Sequence, residues 1–97
     1  MPAYISLINF TEQGLKDSKN AVSRARAVEK AIEAAGGRKI GVWWTMGQYD
    51  MVFISEGPDD ETATRLLLQI GMQGNVRTAT MRAFSEEEME NIVAGLP

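Results

Sequence analysis

The chain has 97 residues, 44% of them apolar and 24% charged, with a formal net charge of −3; that size gives one domain with a modest core, and the acidic balance argues against a nucleic-acid surface, which is normally basic. Cysteine and histidine are both absent, which removes disulfides, zinc knuckles, a cysteine nucleophile, the commonest general base and the commonest transition-metal ligand. No apolar run approaches the ~20 residues of a membrane span, and MPAYISLINF lacks the basic region and long apolar run of a signal peptide, so the chain reads as cytoplasmic.

Residues 3–10, AYISLINF, predict a strand with Ile5 and Leu7 on one face and Tyr4, Ser6, Ile8 and Phe10 on the other. TEQGLKDSKN follows as a polar connection with room for a short helical turn, and Asp17 or Ser18 is placed to cap the next helix. Over 19–35, Ala21, Val22, Ala25, Val28, Ile32 and Ala35 recur at three- and four-residue spacing and form one apolar stripe. Arg24, Arg26, Glu29, Lys30 and Glu33 fall largely on the wet side, and Gly36-Gly37 ends the helix.

Two strands, 39–46 and 50–56, are then joined at GQY. GPDD is a helix start: Pro58 fixes its own φ, Asp59 can accept backbone N–H bonds, and Asp60 and Glu61 suit the positive end of the helix dipole. Ala63, Leu66, Leu67 and Ile70 give that helix its buried face, and Gly71 and Gly74 end it. NVRTATMRAF, 75–84, is a fourth strand. Ser85 and Glu88 have the spacing of a capping box, and Met89, Ile92, Val93 and Leu96 form the apolar face of a short last helix.

The order β-α-β-β-α-β plus a C-terminal helix is α+β. Two right-handed crossovers put both long helices on one face of a four-stranded antiparallel sheet, the ferredoxin-like arrangement, in a single domain over 1–97.

The middle hairpin breaks the usual alternation of a half-buried ribbon. A two- or four-residue loop centred on Gln48-Tyr49 pairs Met46 with Met51, Trp44 with Phe53 and Trp43 with Ile54. One face then carries Val42, Trp44, Met46, Met51 and Phe53, and the other Trp43, Thr45, Val52 and Ile54. Helices cover only one of these apolar faces, so a second copy of the chain is the expected cover for the other. The competing cover is the C-terminal helix folded back over its own sheet.

WTMGQYDMV, with YISLINFTEQG before it and GNVRTATMRAFSEEE after it, resembles the GYD-domain proteins, with Gly47, Tyr49 and Asp50 on the three letters. The resemblance spans essentially the whole chain. It implies a fold of the dimeric α+β barrel type and carries over no catalytic residue. A looser likeness, a strand, Gly-x-Tyr-Asp, an apolar strand, then Pro-Asp and a helix, is similar to the ligand-sensing domain of the Lrp/AsnC regulators, which dimerises and binds amino acids at subunit contacts. The helix-turn-helix half of those regulators is missing here.

Candidate ligand-binding residues are Trp44, Tyr49, Asp50, Phe53 and Arg82. Gly47 permits a positive φ, and Asp50 can bond backbone amides across the turn. Alternatively, Tyr49 and Asp50 supply the polar groups at a pocket mouth. Arg77 and Arg82 have odd spacing, so one of them is expected to point toward the sheet-to-sheet space, where it either needs a partner such as Asp50 or an anionic ligand or serves as an edge-strand charge that deters aggregation. GMQGN follows a helix and lacks a Lys-Ser/Thr ending, so it is no phosphate loop. Asp59-Asp60-Glu61 and Glu86-Glu87-Glu88 are helix-start charges with too few oxygen ligands for a metal. No metal or cofactor is expected. The expected partners are the chain itself and a small molecule. The reading is a non-catalytic oligomeric module for ligand binding or regulation. A cofactor-independent oxygenase or isomerase of the dimeric barrel class and a structural assembly subunit stand as alternatives.

Overall fold

A computed structural model describes residues 1–97. Its axis is β1 (Ala3–Phe10), which pairs antiparallel with β3 (Met51–Glu56) on one side and β4 (Val76–Ala83) on the other; β2 (Arg38–Trp44) flanks β3, giving the order β2-β3-β1-β4. Each β-α-β unit skips one strand, and the gap is filled by a strand of the other unit. The architecture is α+β and ferredoxin-like.

Between β1 and β2 run α1 (Glu12–Lys16), a 3₁₀ turn (Ser18–Asn20) and α2 (Ala21–Ala34). α3 (Asp60–Met72) joins β3 to β4, and α4 (Glu86–Ala94) follows β4. Asp59 caps α3 by accepting from the Thr62 amide at 2.8 Å. The Ser85–Glu88 capping box forms in both directions, at 3.1 and 3.0 Å. At α2 the expected cap gives way: Asn20 occupies the cap position without a side-chain bond. The Asp17 carboxylate instead takes Arg24 Nη1 at 2.6 Å and Asn20 Nδ2 at 2.7 Å, because the 3₁₀ turn separates Asp17 from the helix start.

Directly opposed residues share a face, and the register sorts the sheet into rows. On the helix-covered side run Lys39–Ser55–Tyr4–Arg82, Val42–Phe53–Ser6–Thr80 and Trp44–Met51–Ile8–Thr78. On the other side run Gly41–Ile54–Ile5–Met81 and Trp43–Val52–Leu7–Ala79. The expected β1 faces are the observed ones. The expected hairpin register is two residues out: Trp44 faces Met51, Trp43 faces Val52 and Val42 faces Phe53. The connection is six residues, 45–50, and Met46 sits in it rather than in the ladder. A slip of two leaves every strand residue on its predicted face.

Ile8, Ile32, Met51 and Phe53 form the core, between the sheet and α2, with Ala25, Val28 and Leu66 packed around them. Only 8 of the 97 residues are buried, and no side chain is below 2% exposure. The Cα radius of gyration is 14.6 Å, against ~12.5 Å for a compact chain of this length, and the long axis reaches 52 Å. No other element packs extensively along α4, whose Met89, Ile92 and Val93 are exposed, as is Leu96 just beyond it. Its apolar side does not fold back over the sheet.

Phe53 is 5% exposed at the centre of this small core. Phe53→Ala is expected to cost about 3–5 kcal/mol, read as a fall in the urea midpoint; a loss below about 1 kcal/mol would place the core elsewhere.

Candidate functional site

The 45–50 turn is built by hydrogen bonds that reach beyond it. Thr45 N–H donates to the Asp50 carbonyl at 2.9 Å, and the Thr45 hydroxyl donates to the Tyr49 carbonyl at 2.7 Å. Asp50 N–H donates to the Ile8 carbonyl at 2.9 Å, and Asp50 Oδ2 accepts from Phe10 N–H at 2.8 Å. The carboxylate thus replaces a strand carbonyl where β3 has not yet begun and β1 still presents a donor. Gly47 takes φ +108° at the tip, a region that L side chains avoid.

Around this clamp the hairpin is apolar and wet. Met46 is 99% exposed, Trp43 55% and Trp44 42%. Trp43 lies on the open sheet face with its ring against the strand at Gly41, where an added Cβ would stand 2.4 Å from a ring carbon. Val52, Ile54, Ile5 and Leu7 complete a patch with Met81, which is 47% exposed.

The predicted site residues divide between the two ends of the sheet. Trp44, Tyr49 and Asp50 lie at the end where β1 finishes, and Phe53 lies under the helices. Arg82 stands opposite Tyr4 at the other end. From Tyr4 to Phe10 is six residues of strand, ~20 Å, so Arg82 and Asp50 do not meet. Arg82 faces the helix side, and Arg77, opposite Asn9, faces the open side.

At the Arg82 end, the Tyr4 hydroxyl donates to Asp60 Oδ1 at 2.6 Å, and Arg82 Nε lies 3.8 Å from the same oxygen. The guanidinium sits 4.6 Å from the Phe84 ring centre and donates to the Ala83 carbonyl. This cluster ties β1, β4 and the start of α3. The long-range Tyr4–Asp60 bond gives no local signal in the sequence. Burial first, and the bond to Asp60 second, push the Tyr4 phenol up to about 12. No group of three or more His, Cys, Asp or Glu side chains is arranged to hold a metal ion, and no helix is long and apolar enough to cross a membrane.

Residues 4–93 match the family model of the GYD domain. The chain belongs to the GYD family. A Thermus thermophilus protein named glutamine synthetase and cystathionine beta-lyase binding protein is 30% identical over 84 residues, spanning 86% of this GYD chain and 88% of that protein. The crystal structure of TTHA0845, also from Thermus thermophilus, superposes with a TM-score of 0.54 at 24% identity, over 88% of this chain and 95% of that one. At that identity the likeness is one of fold. The GYD letters now have visible positions here: Gly47 turns the chain, Tyr49 supplies a carbonyl to Thr45, and Asp50 holds β1.

Asp50→Ala leaves Phe10 N–H without its acceptor and is expected to cost about 1–3 kcal/mol, while Asp50→Asn, which keeps an acceptor, costs less. Equal urea midpoints for wild type and Asp50→Ala would remove the clamp. A second outcome concerns pH. Tyr4 loses its proton near 10 when unfolded and near 12 when folded, so the unfolded chain binds fewer protons between those values and stability falls as pH rises through them. Urea midpoints should drop above pH 10, and Tyr4→Phe should flatten that drop.

Proposed function

We propose that this GYD protein is a non-catalytic, homo-oligomeric binding module with a regulatory role. In this reading two copies pair their open sheet faces, and the recognition surface lies at and beside the Gly47–Asp50 turn, near that interface. The observation that carries it is the pair of apolar rows, Ile54–Ile5–Met81 and Trp43–Val52–Leu7–Ala79, over which no helix packs. Leaving ~300 Å² of such surface wet forfeits about 7 kcal/mol at ~25 cal/mol per Å², comparable with the whole net stability of a small domain. A second sheet lying ~10 Å away removes that loss.

The partner chemistry follows from the same end of the molecule. Trp44 and Met46 project at the hairpin tip without covering the core, and aromatic and Met side chains are enriched where proteins dock. Asp50 already accepts from Phe10 N–H, which supports a structural role for its carboxylate rather than acid–base work. The similar Thermus thermophilus protein is named for binding two enzymes, so the organism's glutamine synthetase and cystathionine beta-lyase are the first partners to test.

Light scattering at micromolar concentration should give at least twice the 10.7 kDa chain mass. Ile54→Lys should lower the mass toward one chain or prevent folding; a well-folded wild-type monomer would end the proposal. With purified enzymes on a biosensor, Trp44→Ala and Met46→Ala should weaken binding about tenfold with unchanged oligomeric mass. Wild-type affinity in both variants would move recognition away from the turn.

A further inference from the structure

The helix layer does not close over its own sheet. α2 lies toward β2 and α3 toward β4, and between them remains a cavity of about 110 Å³. Its lining is mostly apolar, Phe53 and Leu66 among it, but the sheet adds hydroxyls at Ser6, Ser55, Thr78 and Thr80. The row Val42–Phe53–Ser6–Thr80 shows the change most clearly, since it starts with a filled apolar half and ends in two hydroxyls under the same helices.

Those hydroxyls do nothing for packing that Ala and Val would not do without a polar burial cost. Ser6 is buried, and its Oγ lies 2.8 Å from Thr80 Oγ1. Two hydroxyls carry two protons, and one bond between them uses one. The second proton is available to an acceptor in the cavity. The charged groups on the rim are already engaged, Arg24 with Asp17 and Glu56 with Arg38, so no free charge awaits an ion. Size narrows the occupant further. A dry cavity of ~150 Å³ holds benzene, whereas drug-sized ligands need ~300 Å³ or more.

We infer that the cleft between α2 and α3 is a binding site for a small uncharged molecule, a single ring or short branched chain bearing one hydrogen-bond acceptor, which meets the Ser6–Thr80 hydroxyl pair. The site lies on the side of the sheet away from the open apolar face and is not lined by Tyr49 or Asp50. It is therefore independent of the proposed pairing of sheets and of recognition at the turn.

The test is an amide chemical-shift titration of the full chain with phenol, toluene and benzoate. Phenol should shift the amides around Ser6, Ala63, Leu66 and Thr80. Toluene, of similar size but without an acceptor, should bind roughly three- to tenfold more weakly, and benzoate more weakly than phenol. In the Ser6→Ala/Thr80→Val double variant, which keeps nearly the same volume, the advantage of phenol over toluene should vanish. Ser6→Leu should fill the cavity and abolish phenol binding at unchanged oligomeric mass. Equal wild-type affinity for phenol and toluene, shifts confined to the open face at Ile5, Ile54 and Met81, or no saturable shift at all would overturn the assignment. Should Ser6→Leu fail to fold, the double variant carries the same decision.

Discussion

A four-stranded sheet has two faces, and this chain supplies helices for one. Alternation along each strand would normally make the uncovered face polar. Here it places Ile5, Leu7, Val52 and Ile54 there, with Trp43 and Met81 beside them. The thin burial, the elongated shape and the unsupported α4 belong to the same condition. The proposed twin is the simplest way to dry that face.

Polar chemistry in the fold is concentrated at the two ends of β1. Asp50 closes one end by standing in for a missing strand carbonyl. Tyr4, Asp60 and Arg82 close the other by tying two strands to a helix start. Both are anchors: a carboxylate or phenol that already holds its partner has little left to give a substrate. Between them the covered face is mostly apolar, and the Ser6–Thr80 pair is its one bond between two hydroxyls, which is why that pair stands out as unexplained by folding.

Much of the fold was legible because its causes are local. Period-two patterning set the faces of β1, and three- and four-residue spacing marked α2 and α3. The Ser85–Glu88 box was readable because both its hydrogen bonds join residues three apart. The hairpin register was not readable. A shift of two preserves every face, so the apolar pattern cannot choose between alternatives, and the irregularity between Lys39 and Gly41 adds a further offset. Candidate site residues were harder still. Which group Arg82 or Asp50 would meet depended on placing β1 between β3 and β4. The partners found, Asp60 and the Phe10 amide, are 22 and 40 residues away in sequence. Ser6 did leave a trace, a polar residue on an otherwise apolar strand face, but only the helix placement shows that space remains above it.

The anchoring of the hairpin from behind has an evolutionary consequence. Thr45 and Asp50 make the bonds that hold the loop to the sheet, while residues 46–48 make no backbone bond that the ladder requires. Exchanges at Met46 and Gln48, on either side of Gly47, can therefore accumulate without unfolding the scaffold. Related chains can differ at the tip while sharing an unchanged frame, with glycine at the apex and aspartate at the hinge as the two positions least free to drift.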